Sequence, residues 1–350
     1  MVNIAVVGTG LVGSAFLKQL APLSKSLNIN VVLLGRSKVT LASKDFSPLE
    51  DPTNVDYSAA EAAWTPLQIA EFLAKSPAPA VLVDNTSNQD LAESYPEFLK
   101  RGISVVTPNK KAFSDSLELW NQIFDPTSRG LVYHEATVGA GLPVISTLKD
   151  LVLTGDKIKK IEGILSGSLS FIFNSFGSSD AKFSEVVLKA KSLGYTEPDP
   201  REDLNGLDFA RKVTILARLS GQMVAGPTSF PVESLIPKPL ELVATGDEYL
   251  AKLPEYDAQM DELRAEAAKE NKVLRFVGKI DFTGPEPTAK VGIEKYEKSH
   301  PFASLQGADN VVSFVTERYP SPLIVQGAGA GDAVTAMGVL SDLIKVVQRL

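Results

Sequence analysis

The chain has 350 residues, 44% of them hydrophobic, and a formal net charge of −7. This size and composition predict a sizeable core and two domains. An acidic chain without a long basic run is not expected to bind nucleic acid or anionic membranes. No apolar run approaches the ~20 residues that a spanning helix needs, and the N-terminus enters a strand without a targeting signal. We therefore expect a cytoplasmic protein.

The sequence contains no cysteine. Disulfides and thiolate metal sites are thereby excluded, and so is any mechanism that passes through a cysteine thioester or thiohemiacetal. Phosphorylating semialdehyde dehydrogenases require such a nucleophile. This chain is not one of them.

A glycine motif stands at the N-terminus. Residues 2–7 form an apolar, β-branched run, and a helical pattern follows the motif as far as Leu20. A G-x-G-x-x-G between a strand and a helix is typical of a dinucleotide-binding turn, in which the backbone approaches a pyrophosphate. A structural turn without a ligand is the alternative. The predicted cofactor-binding residues of the motif are Gly8, Thr9, Gly10, Leu11, Val12 and Gly13.

The next predicted strand, residues 31–34, leads to Gly35, where NAD-selective enzymes usually carry an acidic residue for the ribose hydroxyls. Arg36 and Lys38 stand beside this glycine. Their positive charges favour a 2′-phosphate and hence NADP(H), with NAD(H) also possible. Two solvated cations in a loop are the alternative.

Two further strands, residues 80–84 and 103–106, each end in a polar cluster, and helices are predicted over 65–75 and 89–101. Ligands of open parallel sheets bind at the carboxyl ends of the strands. We therefore predict a cofactor crevice there, although any one of these loops could be a plain turn. The predicted lining residues are Thr86, Ser87, Thr107, Pro108 and Lys110.

A last strand of this domain is predicted over residues 131–135, followed by a glycine-rich stretch to Pro143. His134 is a conceivable acid–base group, since many dehydrogenases use a histidine. We interpret it as structural, because a carboxylate and a lysine described below already provide for proton transfer.

From residue 143 the pattern changes to helices followed by a run of strands, which indicates an α+β domain with its sheet covered on one face. His300 falls in a loop between strands and is interpreted as structural, with a role in shaping the substrate region as the alternative. A C-terminal helix from Asp332 is expected to dock on the first domain. The predicted helices are 143–153, one from 166, 183–193 and 247–270; the strands are 159–165, 273–282, 288–293, 311–316 and 323–325; a proline-rich connection covers 226–239.

The segment 190–212 carries the most informative pattern. Asp199 and Pro200 are typical of a helix start, and the helix is predicted to run to Ser220. Asp208 and Lys212 lie four residues apart and project from one face. An ordinary helical salt bridge is the alternative. Apolar neighbours predict a buried helix, however, and a buried lysine needs a partner and can have a pKa suited to proton transfer.

This segment resembles the signature of the homoserine dehydrogenase family, and the similarity extends along the whole chain, most closely to the short, monofunctional fungal enzymes. The resemblance implies reversible NAD(P)H-dependent reduction of L-aspartate 4-semialdehyde to L-homoserine, in threonine, isoleucine and methionine biosynthesis. The matching residues are Ala190, Gly194, Tyr195, Thr196, Asp199, Pro200, Asp203, Leu204, Gly206, Asp208 and Lys212.

The resemblance also implies roles for individual residues. Lys212, Asp208 and Lys110 would be catalytic, and Gly331 would lie near the cofactor. The implied substrate-binding residues are Glu197, Asp203 and Gly194. A monovalent cation, Na⁺ or K⁺, would be held by Glu135 and the backbone carbonyls of Val138, Ala140 and Leu142. A homodimer is expected, formed through strands of the second domain.

The expected fold is α/β, with a Rossmann-type nucleotide-binding domain, residues 1–142 with 327–350, and an α+β catalytic and dimerisation domain, residues 143–326. A related Rossmann oxidoreductase acting on another small amino or keto acid would share the glycine turn without needing the full 190–212 pattern. A nucleotide-sensing regulatory protein would have no use for a buried Asp/Lys pair.

Overall fold

The computed structural model describes all residues from Met1 to Leu350 and contains two compact units. The first unit consists of Met1–Ile145 together with Gly331–Leu350, and the second of Ser146–Ala330. The strands are β1 Val2–Val7, β2 Ile29–Gly35, β3 Val39–Ala42, β4 Glu61–Ala62, β5 Ala80–Asp84, β6 Ser104–Val106, β7 Val132–Tyr133, β8 Ile158–Ile164, β9 Lys272–Asp281, β10 Thr288–Glu297, β11 Asp309–Thr316 and β12 Leu323–Ala328.

The chain forms fifteen α-helices and five short 3₁₀ turns. The helices are α1 Leu11–Leu20, α2 Ser24–Leu27, α3 Pro66–Leu73, α4 Gln89–Glu93, α5 Tyr95–Lys100, α6 Lys111–Ser114, α7 Leu117–Ile123, α8 Val144–Leu153, α9 Gly167–Gly177, α10 Phe183–Ser192, α11 Arg201–Leu204, α12 Leu207–Leu219, α13 Gly246–Lys252, α14 Asp257–Lys269 and α15 Asp332–Val347. The 3₁₀ turns are Tyr57–Ala59, Glu135–Thr137, Lys238–Leu240, Leu253–Tyr256 and Pro301–Ser304. No helix combines the length and the apolarity that crossing a membrane requires.

The first unit is built on a seven-stranded sheet of order β4-β3-β2-β1-β5-β6-β7. The five strands from β2 to β7 in this order run parallel, whereas β3 and β4 add antiparallel pairs at one edge. The central strands are mainly apolar on both faces, as expected for a parallel sheet that helices cover on both sides. The C-terminal helix α15 packs against α1, and the Gln19 amide donates to the Ala333 carbonyl at 2.8 Å.

The second unit contains a five-stranded antiparallel sheet of order β10-β9-β8-β11-β12. Helices α9, α12 and α14 pack against its central strands. A parallel nucleotide-binding sheet followed by an α+β unit is the predicted fold class, which is thus confirmed.

Several predicted helices are interrupted. The helix expected over 89–101 breaks at Ser94, ahead of Pro96, into α4 and α5. The helix expected over 247–270 is interrupted by the 3₁₀ turn that contains Pro254. Proline has no backbone N–H and its ring clashes with the preceding turn, so each break has a local cause.

His300 carries a pH prediction. Its Nδ1 accepts a hydrogen bond from the Phe302 backbone N–H at 3.1 Å, and its ring contacts Tyr296 and Phe302. Burial lowers the pKa of His300 below its usual 6.5. Below about pH 6.5 the folded state then binds fewer protons than the unfolded state. The contribution of His300 to the unfolding free energy should therefore be fully present above about pH 6.5 and should fall as the pH drops below that value.

His300→Asn keeps a hydrogen-bond acceptor but cannot titrate. Denaturant unfolding of both proteins between pH 7.5 and 5.5 should show a steeper loss of unfolding free energy for the wild-type chain. Parallel curves for the two proteins would contradict this role of His300.

Candidate active site

The glycine turn connects β1 to α1. Gly8 adopts a left-handed backbone with φ of +87°. A Cβ atom on Gly13 would lie only 1.9 Å from the Gly8 carbonyl oxygen, so helix and turn can approach this closely only with glycine at position 13. These two glycines therefore shape the turn itself.

Gly10 differs from its two neighbours. It is the N-cap residue of α1 and has an ordinary φ of −75°, and a Cβ atom there would meet nothing within 4 Å. The adjacent Leu11 side chain is 81% exposed. The space in front of the helix N-terminus is therefore open, and the free N–H groups and the helix dipole favour an anion there.

A cavity of about 430 Å³ lies beside this turn in the first unit. It brings together four predicted cofactor residues, Gly8, Arg36, Thr86 and Ser87. Lys38, Thr107, Pro108 and Lys110 are not among its lining residues. The remaining wall, which sequence reasoning did not identify, consists of Val7, Ser37, Ala63, Trp64, Pro66, Ile69, Asn88, Asp90 and Leu91.

A buried hydrogen-bond network holds the loops at this sheet edge. The Asp84 carboxylate accepts from the Tyr95 hydroxyl at 2.5 Å, from the Thr86 N–H at 2.8 Å and from the Asn109 amide at 3.2 Å. Burial raises the pKa of Asp84, although these hydrogen bonds oppose that shift. The Thr107 hydroxyl donates to the Asp84 carbonyl at 2.9 Å. Asp84 thus orders both the loop at Thr86 and the loop at Asn109. The Thr107 hydroxyl is bonded to the chain itself, at the Asp84 carbonyl.

The glycine-rich stretch after β7 carries the residues implied for a cation. Gly139 and Ala140 are both left-handed, with φ of +77° and +53°. The buried Glu135 carboxylate accepts from the Ile145 N–H at 2.6 Å and lies 3.7 Å from the Lys345 ammonium. No group of three or more His, Cys, Asp or Glu side chains that could hold a metal ion is present in the structure.

His134, next to this stretch, is 1% exposed and stacks on Phe113 with ring centroids 4.1 Å apart. Its Nδ1 lies 3.3 Å from the Thr137 hydroxyl. These contacts are those of a core residue, in keeping with the structural role expected for it.

In the second unit, α12 carries the Asp208/Lys212 pair. The Lys212 ammonium lies 2.8 Å from Asp208 Oδ2 and donates to the Leu165 carbonyl at 2.7 Å. The Lys212 side chain is 12% exposed, whereas that of Asp208 is 50% exposed. Asp208 and the Leu165 carbonyl therefore both hold the Lys212 ammonium, and the Asp208 carboxylate is half-exposed to solvent.

The start of α12 differs from the prediction. The helix expected from Asp199 to Ser220 is broken at Gly206, whose φ is +74°. The Asn205 side chain accepts from the Leu207 N–H at 2.8 Å, which closes a local turn just before the new helix. The break places Asp208 in the first turn of α12, where the helix dipole favours a carboxylate.

Gly278 on β9 allows this helix to pack closely on the sheet. A Cβ atom at this position would lie 2.3 Å from the Val213 side chain and 2.9 Å from the Phe209 ring, both of which belong to α12. This glycine has no sequence motif, and only the packing reveals its role.

Of the implied substrate-binding residues, Gly194 and Glu197 lie on the loop before α11, and Asp203 lies within α11. Glu197 is exposed, and its N–H donates to Asp203 Oδ2 at 2.9 Å. The other Asp203 oxygen accepts from the Ser168 hydroxyl at 2.7 Å. Gly194 is left-handed, and a Cβ atom there would meet nothing within 4 Å. Asp203 thus ties the Glu197 loop to the start of α9, and sequence reasoning did not identify Ser168.

The last two predicted residues belong to the first unit. Lys110 is half-buried and precedes α6, and its carbonyl accepts from the Ser114 hydroxyl at 2.9 Å. Gly331 is the N-cap residue of α15 and has a φ of +114°.

Comparison with known proteins identifies the family. The homoserine dehydrogenase family model matches residues 143–344, and the model of the homoserine dehydrogenase NAD-binding domain matches residues 8–133. The chain belongs to the homoserine dehydrogenase family. The resemblance read from the sequence is confirmed.

Known proteins match this member of the homoserine dehydrogenase family over at least 99% of its chain. Homoserine dehydrogenase of Saccharomyces cerevisiae is 57% identical, and the match covers 100% of this chain and 99% of the yeast protein. A crystal structure of a Candida auris protein of unknown function is 56% identical with a TM-score of 0.95, covering 99% and 98% of the two chains. A hyperthermophilic archaeal homoserine dehydrogenase solved with NADPH is 25% identical with a TM-score of 0.73, covering 100% and 99%.

Proposed function

We propose that this chain is an NAD(P)H-dependent homoserine dehydrogenase, which reversibly reduces L-aspartate 4-semialdehyde to L-homoserine and serves threonine, isoleucine and methionine biosynthesis. Family membership supports the reaction class. The observation that carries the proposal is the Asp208/Lys212 pair. A largely buried lysine beside a half-exposed carboxylate can donate a proton and stabilise negative charge, and carbonyl reduction needs both.

The mechanism assigns the proton to Lys212. A bound reduced nicotinamide would supply the hydride. Reduction leaves negative charge on the carbonyl oxygen, so the Lys212 ammonium stabilises that charge and donates the proton. Asp208 and the Leu165 carbonyl orient the ammonium by accepting hydrogen bonds from two of its three N–H groups. Lys110 is a second proton donor candidate.

The exposed carboxylate of Glu197 is proposed to bind the ammonium of the amino-acid substrate. Asp203 holds the Glu197 backbone, and it adds a second negative charge close to that position. Gly194, which has no neighbour within 4 Å of an added Cβ atom, leaves the space that a small substrate needs.

NADP(H) is proposed as the favoured cofactor, with NAD(H) also accepted. The open N-terminus of α1 suits the pyrophosphate, with Thr9, Gly10, Leu11 and Val12 around it. Arg36, at the adjacent cavity, provides a guanidinium for the 2′-phosphate, and Lys38 follows in the same exposed turn. The archaeal relative solved with NADPH supports this choice.

A monovalent cation, Na⁺ or K⁺, is proposed at Glu135 and the carbonyls of Val138, Ala140 and Leu142. One carboxylate with several carbonyl oxygens is a hard donor set of low charge, which suits such an ion better than a divalent metal. Its contribution would be to hold the left-handed turn at Gly139 and Ala140.

A homodimer in the cytoplasm is the proposed state of the enzyme, with the second unit as the dimerisation domain. The antiparallel sheet supports this, because β12 at its edge is only half-buried and offers backbone groups to a further strand.

One assay tests the reaction. The purified chain is given NADP or NAD with L-homoserine, and the absorbance band of reduced nicotinamide is followed. L-Serine and 4-hydroxybutyrate serve as controls, since the first shortens the side chain and the second lacks the ammonium that Glu197 would bind. We expect reduction with L-homoserine alone at comparable concentrations. Absence of the signal with both nucleotides would refute the proposed activity.

A further inference from the structure

Arg36 lies in the tight turn between β2 and β3, where its N–H donates to the Val39 carbonyl at 2.8 Å. Its guanidinium makes no ion pair and no side-chain hydrogen bond within the chain. Its one side-chain contact of note is with Tyr57, because the guanidinium carbon lies 5.2 Å from the centre of the Tyr57 ring. That distance is within the range of a cation–π interaction.

Tyr57 is itself held in place. It begins the 3₁₀ turn Tyr57–Ala59, which the Asp56 side chain caps by accepting from the Ser58 N–H at 2.9 Å and the Ser58 hydroxyl at 2.7 Å. The ring is half-buried and packs against the hydrophobic core of the first unit. Arg36 thus rests on a fixed aromatic surface.

We infer that Tyr57 is a positioning residue, which holds the Arg36 guanidinium ready for the 2′-phosphate and so contributes to the preference for NADP(H) over NAD(H). The inference rests on the proposed cofactor preference. A ring face attracts a cation without occupying its N–H groups, so all five donors of Arg36 stay available to a phosphate. A carboxylate partner would instead compete with that phosphate.

The consequence concerns the 2′-phosphate alone. An exposed arginine loses side-chain conformational freedom when it binds a ligand, and a ring that already confines it reduces that loss. Removing the ring should therefore weaken the binding of ligands that carry the 2′-phosphate and should leave the binding of ligands without it unchanged.

Calorimetric titration with two nucleotide fragments tests this. Adenosine 2′,5′-bisphosphate carries the 2′-phosphate and 5′-AMP does not, and neither requires turnover. Tyr57→Leu should bind the bisphosphate about three- to tenfold more weakly than the wild-type chain, the usual strength of one cation–π contact, and should bind 5′-AMP equally well. Tyr57→Phe, which keeps the ring, should match the wild-type chain for both.

Arg36→Gln separates this inference from the proposal on which it rests. It should lower the affinity for the bisphosphate about 10- to 100-fold, as expected for the loss of charge-assisted hydrogen bonds. If Arg36→Gln leaves the bisphosphate unaffected, the proposed 2′-phosphate site is wrong. If Arg36→Gln weakens it but Tyr57→Leu does not, only the role of Tyr57 is wrong. Equal losses for both fragments in Tyr57→Leu, or a loss in Tyr57→Phe, also overturn that role.

Discussion

Lys212→Ala is expected to lower the turnover of L-homoserine oxidation by about 10²- to 10⁴-fold, the usual contribution of a positioned proton-transfer group. The variant removes the ammonium that would stabilise charge on the substrate oxygen. It also leaves the Leu165 carbonyl without the Lys212 donor, which should cost about 1–3 kcal/mol of unfolding free energy. Steady-state rates, with nucleotide affinity measured separately by titration, test this prediction.

The chain offers a matched control for this variant. Lys252 pairs with Glu248 in the same i, i+4 geometry and at the same 2.8 Å, but its side chain is 47% exposed. Lys252→Ala should leave turnover unchanged. Asp208→Ala should lower turnover by orders of magnitude with nucleotide affinity retained, because Lys212 then loses the carboxylate that orients it. Near-normal turnover in both Lys212→Ala and Asp208→Ala would remove the proposed mechanism.

Gly10→Ala is expected to abolish most cofactor binding without changing the fold. Within the chain the added methyl group meets no atom, and the backbone angle suits alanine. It would stand where the pyrophosphate approaches the N-terminus of α1. We expect nucleotide affinity to fall about 10- to 100-fold, equivalent to the loss of one or two charge-assisted hydrogen bonds, with an unchanged unfolding transition.

Gly13→Ala should behave differently, although it lies three residues away. Its methyl group would be forced against the Gly8 carbonyl, so the turn must shift, at a cost of about 1–3 kcal/mol of unfolding free energy. Gly284→Ala, whose Cβ would meet its nearest atom at 3.5 Å, is the control for an ordinary glycine replacement. Equal unfolding transitions for all three variants, with full nucleotide affinity in Gly10→Ala, would contradict the assignment of Gly13 to the shape of the turn and of Gly10 to nucleotide binding.

The glycine turn could be predicted because its signal is local. The motif, the preceding strand and the following helix occupy consecutive residues, and both Gly8 and Gly13 answer a requirement of the backbone. The 190–212 segment is similar, since Asp208 and Lys212 are joined by one helical turn. That spacing places both side chains on one face of the helix, where the ammonium and the carboxylate lie 2.8 Å apart.

Breaks in helices were harder to predict. Asn205 and Gly206 are compatible with a continuing helix in the sequence pattern, and only the local turn between Asn205 and Leu207 and the left-handed Gly206 interrupt it. Strands β3 and β4 were missed for a related reason. They are short strands at one side of the sheet, and the pairing of β3 with β2 and of β4 with β3, rather than any hydrophobic alternation, defines them.

By itself the sequence determined the family, the two kinds of domain, the glycine turn and the Asp/Lys pair, because these depend on residue type and short spacing. Only the tertiary structure decided which distant residues support them. Gly278 allows α12 to pack on β9, Asp84 binds the Asn109 side chain, and Tyr57 lies against Arg36. Contacts of this kind join residues 20 or more positions apart, and the packing of the elements, rather than any local pattern, determines which of them meet.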